Sequence, residues 1–106
     1  MMDKLIVFVT CESKGQAEQI AQTVVTEKLA ACVNVLPGVR SCYVWERRLT
    51  WSDEVLLLIK TTRGRFAQLE TRIKGLHSYS LPEIAGVTID EAYEKYIDWI
   101  DASVGG

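Results

Sequence analysis

The sequence predicts a small α+β domain with two long helices on one face of a four-stranded antiparallel sheet. Three observations carry that expectation. The apolar residues change period along the chain in the order strand, helix, strand, strand, helix, strand, helix. The two middle strands follow each other directly and form a long hairpin. A length of 106 residues, 48% hydrophobic and 25% charged, supports one soluble domain, 1–106, with a single modest core.

The elements follow in order. Leu5 to Val9 is uninterrupted, apolar and rich in β-branched residues, as a strand covered on both faces is. Ser13 and Gln16 have the spacing of a capping box that opens a helix. That helix sets Ala17, Ile20, Ala21, Val24, Val25 and Leu29 on one stripe, with Gln19, Gln22, Thr23 and Glu27 outside. Cys32 to Leu36 alternates as a strand, and Pro37-Gly38 breaks or bulges it. Val39 to Trp51 reads as extended, with Val39, Ser41, Tyr43 and Trp45 on one face, and Glu54 to Thr62 is the next strand. Two turns compete between them: Ser52-Asp53 has turn residues, and Glu46-Arg47-Arg48 is a charged break between aromatic stretches. A second helix carries Phe66, Leu69, Ile73 and Leu76, with Gly75 near its end. Ile84 to Ile89 is the last strand. Asp90 is placed to cap a final helix with Ala92, Tyr93, Tyr96, Ile97 and Ile100 on its stripe, and Gly105-Gly106 is expected to fray.

This order, without its final helix, is the split β-α-β arrangement of the ferredoxin-like fold. Right-handed crossovers put both long helices on one sheet face and leave the other bare, with the last helix covering only part of it. A long aromatic hairpin with free edges is an aggregation hazard unless a partner pairs with it, so assembly into a closed ring is expected. Trp45 and Leu57 are the side chains on which that assembly is expected to rest.

The net charge of −2 argues against nucleic acid as the main partner. No secretory or membrane-spanning segment is read, since Leu5 to Val9 is too short for either. Cys11, Cys32 and Cys42 are odd in number and lack Cys-x-x-Cys spacing, which fits reduced thiols in the cytoplasm. Cys32 is expected to be slow to alkylate. Cys11 is expected to be the most reactive, at a strand end before a helix N-terminus.

Candidate chemistry gathers on the connector Leu76 to Gly86, which holds the only histidine, Tyr79, and Pro82-Glu83. The same residues also read as cover for the core. His77 is the one side chain that titrates by default near neutrality, and it reads either as a hydrogen-bonding residue or as a metal donor needing further ligands. Cys11 or Cys32 with His77, or Glu83 with Lys60, would be the enzyme readings, and no nucleophile motif supports them. Lys60 also reads as an ion-pair partner of Glu83 or Glu54. Tyr43, Trp45, Lys60, Tyr79 and Glu83 together mix aromatic and charged groups as small-ligand pockets do.

Glu27-Lys28-Leu29-Ala30-Ala31-Cys32-Val33-Asn34-Val35-Leu36-Pro37-Gly38, Tyr43-Val44-Trp45-Glu46, Glu54 to Thr62 and His77-x-Tyr79-x-x-Pro82-Glu83-Ile84 resemble the CutA divalent-cation tolerance family. The likeness runs from the first strand to the last helix. It implies a non-enzymatic ferredoxin-like homotrimer, similar in architecture to the PII-type signalling trimers and tied to tolerance of copper and other divalent metals. No cofactor is implied as required, and Cu²⁺ or another divalent cation is the ligand class. His77 is the expected donor, with Glu83 or Cys11 completing the shell. The alternative is a PII-like trimer binding a small anionic ligand between subunits. The resemblance also places the hairpin turn at Glu46-Arg47, where Arg47 stands in place of the family's usual glycine, and puts Trp51-Ser52-Asp53 within the returning strand, as a bulge. Leu76 and Val9 stand where some members carry a histidine and a cysteine proposed as copper ligands.

Overall fold

The computed structural model describes residues 3–105. The elements are β1 (Lys4–Cys11), α1 (Lys14–Thr26), β2 (Cys32–Trp45), β3 (Arg48–Thr62), a 3-10 turn (Arg63–Arg65), α2 (Phe66–Leu76), β4 (Ala85–Thr88) and α3 (Glu94–Ser103). The sheet order is β2-β3-β1-β4 and every pairing is antiparallel. This is the ferredoxin-like arrangement that the order of elements predicts.

Alternation along β1 and β3 decides what each sheet face buries. Leu5, Val7, Val9 and Cys11 pair across from Thr61, Ile59, Leu57 and Val55 and face the helices. They close the core with Ala17, Ile20 and Val24 of α1 and Leu69 and Ile73 of α2. Leu57 is therefore a core residue beneath the helices and not part of the bare face, because the register puts it opposite Val9 and Val35. The opposite face carries Ile6, Phe8, Leu56 and Leu58, all half-buried in the single chain, with Leu36 and Val87 exposed beside them.

Helix α3 covers one end of that face. Ile97 and Ile100 pack with Ala31. Lys4, only 3% exposed, is held there by Asp3 at 2.8 Å and Asp101 at 3.0 Å. The Arg65 guanidinium donates to the Val104 carbonyl at 2.7 and 3.1 Å, which ties the end of α3 to the start of α2. Asp90 does not cap α3. The helix starts three residues later than the apolar stripe suggests, on Tyr93, so Ala92 and Tyr93 lie before it. Among the described residues, no helix is long and apolar enough to cross a membrane.

The hairpin is the largest departure from a compact shape. β2 and β3 contain 14 and 15 residues and pair continuously from Val39↔Glu54 to Trp45↔Arg48. The Cα radius of gyration, 14.3 Å, exceeds the roughly 13 Å of a compact chain this long because the hairpin projects. Its turn is Glu46-Arg47, both at positive φ (50° and 68°), the geometry of a primed two-residue turn. Ser52-Asp53 is ordinary strand, paired with Ser41 and Arg40, and no bulge falls there. The bulge is at Pro37-Gly38, which oppose Val55 alone, with Gly38 at φ 81°. It reverses which face the β2 side chains take, so Val39, Ser41, Tyr43 and Trp45 share the open face with Glu54.

Candidate functional site

A cleft of about 610 Å³ lies where the hairpin leaves the domain, within the usual size range of small-ligand sites. Ser41, Cys42, Tyr43 and Trp45 of β2 form one wall, Thr10 and Glu54 the floor, and Tyr79, Ser80, Leu81 and Glu83 of the α2–β4 connector the other wall. Each contribution has a local cause. The bulge turns Tyr43 and Trp45 onto the open face, and the register places Glu54 opposite Val39 at the hairpin's base.

The connector is pinned at three points. His77 Nδ1 accepts from the Tyr79 N–H at 3.1 Å, so Nε2 carries the ring proton and donates to the Thr10 carbonyl at 2.7 Å. Gln16 Nε2 donates to the Leu76 carbonyl at 3.0 Å while Gln16 Oε1 accepts from the Ser78 N–H at 2.7 Å. Gln16 thus completes only half of the expected capping box. Ser13 does cap α1, accepting from the Gln16 N–H at 3.1 Å. The Gln16 side chain leaves its own helix and holds the connector. The third point is the Tyr79 hydroxyl, which donates to Glu54 Oε2 at 2.8 Å.

Glu54 is 8% exposed, a buried carboxylate on the cleft floor. Burial, followed by the hydrogen bond to Glu54, raises the Tyr79 phenol well above its ordinary range, and Glu12 adds to the effect. Tyr79 is therefore a neutral donor at any physiological pH. Among the described residues, no lysine, arginine or histidine lines the cleft. Its charge is negative throughout.

Four of the five pocket residues expected from the sequence meet here: Tyr43, Trp45, Tyr79 and Glu83. Lys60 does not. It sits at the far end of β3, opposite Ile6 and Cys32, and its ammonium bonds Asn34 Oδ1. Neither Glu83 nor Glu54 is its partner. The expected metal donors are not assembled either. Among the described residues, no three His, Cys, Asp or Glu side chains gather as a metal shell. Both nitrogens of His77 are engaged, Cys11 is fully buried, and Glu83 is exposed. Burial, with Glu54 nearby, pushes the Cys11 thiol up to about 11, the reverse of the activation expected from the α1 N-terminus. Cys42 is the exposed thiol, and all three cysteines are free.

Sequence pattern alone does not mark Glu54, Thr10 or the Gln16 clamp as site residues. A charged residue opening an otherwise apolar strand was the one available signal for Glu54.

These features define an α+β protein of ferredoxin-like topology with a projecting hairpin and an aromatic, acidic cleft at its base. The sequence matches the family described as CutA1 divalent ion tolerance protein over residues 5–103, and the chain belongs to that family. It is 42% identical to the divalent-cation tolerance protein CutA of Thermus thermophilus, over 94% of this chain and 97% of that one. It is 35% identical to the chloroplastic protein CutA of Arabidopsis thaliana over 93% of this chain, which spans about half (54%) of that longer relative. The solved Thermus thermophilus structure superposes with a TM-score of 0.94 at 41% identity, covering 96% of this chain and 99% of that one. CutA from Xylella fastidiosa gives 0.94 at 37%, covering 96% and 98%.

Proposed function

We propose that the chain acts as a non-enzymatic homotrimer in the response to divalent cations, copper among them. Membership of a divalent-cation tolerance family supports the cation part. The observation that carries the assembly part is the unpartnered apolar surface. Ile6, Phe8, Leu56 and Leu58 lie on a face α3 only partly covers, and Val44, Leu49 and Trp51 on the hairpin are 68%, 70% and 56% exposed. The first group lies on the open sheet face and the second on the other face of the hairpin, and so much uncovered apolar surface is uncommon on a monomer and common at an interface between copies. Light scattering at micromolar concentration is expected to give three times the chain mass, and a stable monomer overturns the reading.

Of the three donors read from the sequence, Glu83 is the accessible one, so a divalent cation meets the chain there first. His77 coordinates only by giving up the Tyr79 N–H or the Thr10 carbonyl. Calorimetric titration with Cu²⁺ is expected to show weaker binding in Glu83→Gln and near-unchanged binding in His77→Ala. The absence of saturable Cu²⁺ binding removes direct copper contact from the proposal. The alternative is a small anionic ligand held between subunits, and within one chain Lys60 lies away from the cleft. Three unpaired thiols support a reducing, cytoplasmic setting, which cell fractionation tests.

A further inference from the structure

We draw no further inference here: the strongest candidate, the open groove between the end of α1 and the outer side of α2, lined by Leu29, Ala67, Thr71 and Gly75 beside the Glu27–Arg72 ion pair, rests on a stripe of small side chains, and nothing in the structure shows what covers it.

Discussion

Cys11 shows how burial overrides a local electrostatic argument. Its place before the α1 N-terminus favours a thiolate, but its side chain points into the core, opposite Val55 of β3 and two residues along β1 from Val9. Desolvation wins, and the thiol is raised from its usual 9 to about 11. The consequence for stability has a definite sign. The buried thiol keeps its proton where the unfolded chain has already lost it. This contribution is complete below pH 9 and is lost as pH rises to about 11, by about 2 kcal/mol. Tyr79 acts in the same direction at still higher pH. Urea midpoints measured from pH 8 to 11 are expected to fall more steeply for wild type than for Cys11→Ala, and parallel profiles would contradict the assignment. Labelling of the native protein with a maleimide is expected to modify Cys42 first and Cys11 last. Early reaction at Cys11 would mean its cover opens readily.

At the scale of elements, two backbone sites hold a long side chain where glycine fits better. Helix α1 ends in a Schellman arrangement, with Leu29 N–H bonding the Val24 carbonyl and Lys28 N–H bonding the Val25 carbonyl. Its left-handed residue is Lys28, at φ 60°. The hairpin turn has the same problem at Arg47, φ 68°. Left-handed geometry costs a side-chain-bearing residue about 1 kcal/mol, partly offset by glycine's larger unfolded-state entropy. Lys28→Gly and Arg47→Gly are each expected to stabilise the chain by about 0.5–1 kcal/mol in chemical denaturation. A loss of stability in either would show that the side chain makes a contact outweighing the strain. Most elements were legible from periodicity. The start of α3 was not, because Ala92 and Tyr93 continue an apolar stripe while their backbone is still non-helical.

For the whole molecule, the two sheet faces make opposite demands on neighbouring residues of one strand. Leu57 faces α1 and α2, and Leu58 faces the open side. Leu57→Asp is expected to prevent folding, because it buries an unpaired charge in the core. Leu58→Asp is expected to fold and to lose the proposed trimer, giving a lower mass by light scattering with retained far-ultraviolet circular dichroism. A Leu58→Asp chain that remains trimeric would place the interface elsewhere.

The sequence by itself determined the order of elements, the split β-α-β topology, four residues of the cleft and the core stripes of both long helices apart from Val25, which is 40% exposed. These follow from local periodicity and from turn residues, which act over a few positions and are written in the chain. Only the tertiary structure decided that Lys60 lies away from the cleft, that Cys11 is buried, and that Gln16 reaches across to hold the 76–78 connector. It also decided that Glu54 sits opposite Val39 beneath Tyr79. Lys60 and Cys11 are placed by the register of β3 against β1 and β2, Gln16 by the packing of α1 against the connector, and Glu54 by the one-residue shift at Pro37-Gly38. A shift of one residue moves a side chain to the other face of a sheet, and the hydrophobic pattern of a strand exposed on both faces does not specify it.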